Sequence, residues 1–235
     1  MKEIIAMHGW AGNGDQWSDW KDLFQNSNWI WQTAERGYKK KNPYMPDWKN
    51  KLSQADSKKV AICHSLGSHL IGDIVLSSAT HIVFINSFSR FIPSGKDNRH
   101  IMIALNKMLN AINTPNEIVM LRKFHNKAYK PNNINIGSNE LNLIHTSDSG
   151  RLRLKNDLKL LINSDSLPNG INTNVRVLII NSKQDHILAD QTRDRHSKDL
   201  INHLVVSPSI INLQEEGHTI SKIMSIQKIK HWLES

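Results

Sequence analysis

Short, continuous apolar runs alternate along this chain with longer stretches in which apolar residues recur every three or four positions. Ile4-Ile5-Ala6-Met7 is one such run, ending at His8-Gly9, and it predicts a strand buried on both faces. Trp29 to Thr33, Val60 to Cys63, His81 to Asn86, Val175 to Ile180 and Ser209 to Gln214 predict further strands. Trp17, Trp20, Leu23 and Phe24 have helical spacing, with Asp15 placed to cap that helix. More helices are expected over 47–56, 66–78, 190–203 and from about 219 onward. Buried strands alternating with helices specify an α/β architecture, a mostly parallel sheet covered by helices on both faces.

After Ser89 the rhythm changes to helix-like apolar spacing with Asn- and Pro-rich breaks, through about residue 170. The expected organisation is therefore a core formed by 1–88 and 171–235, with 89–170 as a helical cap inserted over one end of the sheet. No repeat or low-complexity tract interrupts this pattern.

Composition narrows the class. At 235 residues, 39% hydrophobic and 22% charged, the chain matches one sizeable globular domain. A single cysteine excludes an intramolecular disulfide framework and suits a reducing compartment. The opening MKEIIAMHGW is too brief an apolar run for a secretory signal, and no stretch approaches the roughly 20 apolar residues of a membrane span. The expectation is a cytoplasmic, soluble monomer. The formal charge of +9 is compatible with an anionic partner or with nothing more than a solvated basic face. Nucleic acid is not expected, because no binding motif is present and the longest basic run is Lys39-Lys40-Lys41. A membrane partner is not expected either.

Candidate chemistry begins at CHSLG, residues 63–67, between a predicted strand and a predicted helix. A G-x-S-x-G turn in that setting lifts a serine hydroxyl off the sheet and aims a helix N-terminus at it. Ser65 is the candidate nucleophile, with Gly67 and Ser68 small enough for the close strand–helix approach. Cys63 stands where the first glycine is expected, and it should point into the sheet. The plainer reading is a serine at an ordinary strand-to-helix turn.

A serine hydroxyl needs a base, and the base needs an acid to orient it. In chain order Ser, Asp or Glu, then His, Asp185 lies just past the strand ending at Ile180. Asp190 reads as the N-cap of the next helix and Asp194 lies inside that helix. Of the twelve histidines, His218 in QEEGHTI follows the last strand and precedes the last helix, with Gly217 permitting a tight turn. Glu215 and Glu216 are rival acids adjoining it. Two backbone donors must face the developing oxyanion, and the N–H groups of Leu66 and of Trp10, in HGW, are placed for that. HGW also reads as a strand-ending glycine followed by a core tryptophan.

At these residues the chain resembles the α/β-hydrolase superfamily. More narrowly it is similar to the biotin-pathway esterases that demethylate pimeloyl-acyl-carrier-protein methyl ester. HGWAGNGDQW at 8–17, the S-L-G of the elbow, RKF at 122–124 and LKNDLKLLINSD at 154–165 carry the likeness. The chain departs from that pattern at Cys63 and in beginning at the oxyanion-loop strand, without the N-terminal hairpin common in the superfamily.

The resemblance implies that Ser65, Asp185 and His218 form the triad, that Trp10 and Leu66 line the oxyanion site, and that Phe124, His125, Asn126, Lys127 and Ala128 border the acyl chain. It implies a serine carboxylesterase in biotin biosynthesis, with an acyl carrier protein as partner. Twelve Lys or Arg against six Asp or Glu within 89–170 suit such an acidic partner. No cofactor or metal is expected, since no His/Cys cluster has ligand spacing and no GxGxxG is present. A general carboxylesterase or thioesterase, or a catalytically silent binding module on the same fold, are the alternatives.

Overall fold

The structure is a computed structural model, and it describes residues 1–39, 41–49, 57–95, 98–132 and 146–235. Six strands form one sheet in the order β2-β1-β3-β4-β5-β6. They are β1 (Lys2–Met7), β2 (Trp29–Ala34), β3 (Lys58–His64), β4 (His81–Ile85), β5 (Arg176–Ser182) and β6 (Ser209–Leu213). Every pairing is parallel, with Met7 beside Cys63 and Cys63 beside Phe84 in register. The parallel α/β architecture expected from the apolar runs is the one observed.

Alternation along each strand divides the core into two layers. Ile4, Ala6, Val60, Ile62, Val83, Ile85, Leu178 and Ile180 face one side. There they meet Trp20 and Phe24 of α1 (Ser18–Gln25) and Ile226, Ile229 and Leu233 of α8 (Ile223–Glu234). Ile5, Met7, Ala61, Cys63, Ile82, Phe84, Val177 and Ile179 face the other side. That layer packs on α3 (Asp73–Ser77), α6 (Asp148–Asn163) and α7 (Asp190–His203), through residues such as Val75, Leu158 and Leu200. Ile4, Ile5, Val60, Ile62 and Ile82 are wholly buried, and each contributes roughly 1.5–3 kcal/mol relative to exposure.

Between β4 and β5 come α4 (Asn98–Ala111), α5 (Glu117–Tyr129) and α6, all within the stretch expected to form a cap. Arg36, just after β2, donates from Nε and Nη2 to the Asp157 carboxylate of α6 at 2.6 and 2.7 Å, and Tyr38 Oη donates to it at 2.7 Å. The Trp10 indole adds a bond to the Leu154 carbonyl at 2.8 Å. Asp157 is almost wholly buried, so these partners replace the solvation that its carboxylate loses.

Three local expectations need correction. The helix foreseen over 66–78 is two short pieces, α2 (Gly67–Leu70) and α3, because Ile71 and Gly72 take extended backbone angles. Residues 47–49 are not helical, and the rest of the helix expected there lies outside the described residues. Asn13, not Asp15, caps the first helical turn: its side chain accepts from the Asp15 N–H, and Asp15 lies within that turn of 3-10 helix at Gly14–Trp17. No helix among the described residues is long and apolar enough to cross a membrane.

Candidate active site

The strand order reverses around β1: β2 lies on one side of it and β3 on the other. Loops leaving the C-terminal ends of β1 and β3 diverge there, which leaves a crevice. Gly9-Trp10 and Ser65 occupy it. Gly9 is needed because a Cβ there would lie 3.0 Å from Ser65 Cβ and 3.2 Å from the His64 carbonyl. Gly67 is needed more strictly: its Cβ would lie 2.6 Å from the Met7 carbonyl and 2.8 Å from that of His8.

Ser65 has φ of 53°, a left-handed conformation that is rare and costly for a residue with a side chain. The turn is held by the Ser65 N–H bonding to the Ile85 carbonyl at 2.9 Å and by Ser68 Oγ bonding to the Ser65 carbonyl at 3.2 Å. The backbone thus presents Ser65 as a strand-to-helix elbow does. Cys63 is wholly buried in β3, where desolvation pushes its thiol up, so it has neither the access nor the ionisation of a nucleophile.

Asp185 and His218 come together across 33 residues of sequence: His218 Nδ1 donates to Asp185 Oδ2 at 2.8 Å. The other carboxylate oxygen accepts from the N–H groups of Ile187 at 2.7 Å and Leu188 at 3.0 Å. Burial alone would raise the Asp185 carboxyl, but the His218 ring and these two amides outweigh it and hold the carboxyl below its ordinary value. The rival acids are occupied elsewhere. Glu216 accepts from the N–H groups of Ser221 and Lys222, and Glu215 pairs with the Lys222 ammonium. Asp190 is the first residue of α7 rather than its N-cap, which is Ala189.

Ser65 and His218 line the same small cavity, together with Gly9 and Trp10. Among the described residues neither the Trp10 nor the Leu66 amide donates a hydrogen bond, so two N–H groups beside the elbow remain available to an oxyanion.

Two supporting residues were not anticipated. Asn86, at the end of β4, donates from Nδ2 to the His218 carbonyl at 2.8 Å and to Ser182 Oγ at 2.9 Å, and its Oδ1 accepts from the Ser182 N–H at 2.8 Å. His64 Nε2 also donates to the His218 carbonyl, at 2.9 Å. Burial, with the His218 ring alongside, lowers His64 to about 3 and keeps its ring neutral. An asparagine directly after an apolar strand was the available signal for Asn86, since Asn tolerates the left-handed φ of 44° found there. Gly217 serves a different purpose from the one expected. Its φ is not left-handed; a Cβ at this position would overlap the Lys130 carbonyl at 1.8 Å, so the glycine lets the end of α5 sit on the His218 loop. The Thr219 N–H completes that contact with the Ala128 carbonyl at 3.0 Å.

The crevice has two limbs that share Trp10, Ser65 and Phe124. The larger, about 530 Å3, runs under α4, α5 and α6 between apolar side chains that include Phe91, Leu105, Met120 and Leu158. Lys107, Lys123 and Lys127 also line it, as does Asn116. The smaller, about 80 Å3, holds His218 and more polar walls, including Asn13, Gln16, Lys39 and His125. Trp10 and Phe124 meet edge to face at 5.0 Å between the limbs. Of the residues expected to border the acyl chain, Phe124 faces both limbs, Lys127 the larger, and His125 and Ala128 the smaller. Asn126 is exposed and lines neither, because helical periodicity turns it outward from α5.

Among the described residues no group of three or more His, Cys, Asp or Glu is placed to hold a metal ion. No known family model matches the chain, and no curated protein matches it in sequence. Solved structures do match in shape. A hydrolase from Oleispira antarctica superposes with a TM-score of 0.71 at 14% identity, covering 100% of this chain and 92% of its own. An esterase from Exiguobacterium antarcticum gives 0.70 at 12% identity, and an enol-lactonase from Burkholderia xenovorans 0.67 at 12%, each covering 100% of this chain and 92% of its own. The chain has the α/β-hydrolase fold.

Proposed function

We propose that the protein is a serine carboxylesterase that works through an acyl-enzyme. The observation that carries this reading is the His218–Asp185 hydrogen bond of 2.8 Å at a cavity shared with Ser65, whose elbow is held at φ 53°. With Nδ1–H committed to Asp185, the Nε2 lone pair of His218 is the base for Ser65. Ser65 Oγ attacks the ester carbonyl as its proton passes to Nε2, and the Trp10 and Leu66 amides stabilise the oxyanion. Imidazolium then protonates the departing alkoxide, and water activated by His218 releases the acid and restores Ser65. The esterase and hydrolase titles among the structural neighbours support the same reading.

The two limbs support a placement for the two sides of the ester. The group that protonates the leaving alcohol must lie beside it, and His218 lines the small limb but not the large one. The alcohol therefore belongs in the small polar limb and the acyl chain in the large apolar one. A compact alcohol and an extended acyl chain suit the methyl ester of a pimeloyl-acyl-carrier protein, the finer reading that the sequence resemblance supports. The lysines along the large limb offer an acidic carrier a docking edge.

A mirror-image pair of substrates tests the assignment: methyl octanoate against octyl acetate. A preference for methyl octanoate of tenfold or more in kcat/KM is expected, about 1.4 kcal/mol. The opposite preference overturns the limb assignment, and no turnover of either ester overturns the esterase reading. For the finer reading, the test is growth without biotin of a strain lacking its own pimeloyl ester esterase. Failure to grow despite good expression would leave the general carboxylesterase.

A further inference from the structure

Lys39 has no role in the chemistry above, and its surroundings are unusual for a lysine. It is half-buried, it lines the small limb beside Gln16 and Asn13, and it forms no ion pair among the described residues. The charged groups that act on it are Asp15, Glu35 and Lys41. Both carboxylates are engaged elsewhere. Asp15 pairs with the Lys41 ammonium. Glu35 accepts from the N–H groups of Gly14 and Gly37, each at 2.9 Å, and lies 3.3 Å from His8 Nε2. Glu35 illustrates how firmly it is held: burial would raise its carboxyl, yet the His8 ring and the two amides bring it down to about 2.

An ammonium partly withdrawn from water and left without a counter-ion carries a desolvation cost, which an anion in the adjoining limb would offset. Burial does lower Lys39 from its ordinary value, as such a position requires. Gln16 Nε2 lies 3.4 Å from His64 Nδ1 and keeps a second N–H, which with the Asn13 amide suits the remaining oxygen lone pairs of a carboxylate.

We propose that Lys39, with Gln16 and Asn13, forms a subsite for a compact anionic group on the alcohol side of the ester. The enzyme then accepts, beyond a simple alkyl ester, esters of short hydroxy acids whose carboxylate sits close to the ester oxygen. The small volume of the limb, about 80 Å3, sets the size limit. Cleavage follows the steps already given: the acyl–oxygen bond breaks, the hydroxy acid leaves with a proton from His218, and its carboxylate takes no part in the chemistry. This inference rests on the esterase reading and on the placement of the alcohol in the small limb.

The test compares the butyryl esters of glycolate and glycolamide, which match in shape and differ in charge, with methyl butyrate as a reference. In the wild-type protein kcat/KM for the glycolate ester should exceed that for the glycolamide ester by roughly fivefold or more at low ionic strength, and the ratio should shrink in high salt. Lys39→Met should bring the ratio to about one, and Lys39→Arg should retain most of it. A wild-type ratio of one, or a Lys39→Met variant that keeps the preference, overturns the subsite. Turnover of methyl butyrate alone also sinks the subsite while leaving the esterase intact. Silence on all three esters removes the esterase reading itself.

Discussion

Asn86 and His64 both donate to the backbone carbonyl of His218, at 2.8 and 2.9 Å, from opposite sides of the elbow serine in sequence. The His218 loop is thus fastened to the ends of β3, which leads into Ser65, and β4, whose Ile85 carbonyl accepts the Ser65 N–H. Asp185 fixes the ring of His218 while Asn86 and His64 fix its backbone. The position of His218 relative to Ser65 is thus tied to the sheet.

Removing one of those anchors should lower turnover with little effect on substrate binding. Asn86→Gly keeps the left-handed backbone accessible and deletes the side-chain bonds to His218 and Ser182. A buried hydrogen bond left unmade costs about 1–3 kcal/mol in positioning, or roughly five- to 150-fold in kcat. Steady-state kinetics on methyl octanoate would show it, with KM within about twofold of wild type.

Asp185→Asn tests the orienting role of the carboxylate. An amide there can present N–H toward His218, which favours the wrong tautomer, so kcat should fall by about 10^4 while the fold is retained. Circular dichroism and kcat on the same preparation check both halves of the claim. A loss under tenfold would mean that Asp185 is not the acid partner.

The cap carries its charges in a way that the sequence alone did not resolve. Arg151 pairs with Glu117 and Asp148, and Arg153 donates to the Gly37 carbonyl, so this cluster ties the cap to itself and to the core. The Arg122 Nε is buried without a hydrogen-bond partner among the described residues. Lys107, Lys123 and Lys127 are the exposed cations along the large limb. Exposed charges act mainly on encounter and are worth roughly 0.2–1 kcal/mol singly. Changing all three to Glu should lower kcat/KM on a carrier-linked ester about tenfold more than on the free methyl ester. Equal losses on both would refute carrier docking at this edge.

Five histidines make the protein sensitive to acid, His69 among them, which burial also lowers. Burial lowers His64 and His196 to about 3, and lowers His81 and His125 to about 4. Among the described residues neither ring nitrogen of His196 has a hydrogen-bond partner. In the unfolded chain these groups bind protons near pH 6.5, whereas in the folded chain they do not. Stability is therefore full above about 6.5 and falls as pH drops toward the folded values. Each neutral group costs about 1.4 kcal/mol per pH unit in that window, so His64 and His196 alone remove on the order of 4 kcal/mol by pH 5. Urea midpoints measured from pH 7.5 to 4.5 should decline steadily below 6.5. A flat profile would show that these rings are accessible to protons in the folded state.

Much of this architecture was legible before the structure. Runs such as Ile4 to Met7 and Val60 to Cys63 have no polar alternation, and only strands covered on both faces satisfy them. The helix over 190–203 matches α7 end to end. The order relative to strand ends makes Ser65, Asp185 and His218 candidates, and the sheet brings Asp185 and His218 into contact. What remained hidden depends on pairs far apart in sequence. Arg36 meets Asp157 across 121 residues, and Gly217 answers to Lys130 on the cap. No local pattern encodes such contacts. The break at Ile71-Gly72 leaves no mark in the sequence pattern, because the apolar spacing there continues while the helical backbone does not.

Activation of Ser65 by His218 underlies every step of the proposed reaction. Its most direct measurement is the intact mass of the folded protein after exposure to a fluorophosphonate, followed by peptide mapping. A single phosphonyl adduct is expected, mapped to Ser65, absent in Ser65→Ala and formed at least a hundredfold more slowly in His218→Ala, a difference of about 2.7 kcal/mol. No adduct on the folded wild-type protein, or equal labelling with and without His218, would contradict it.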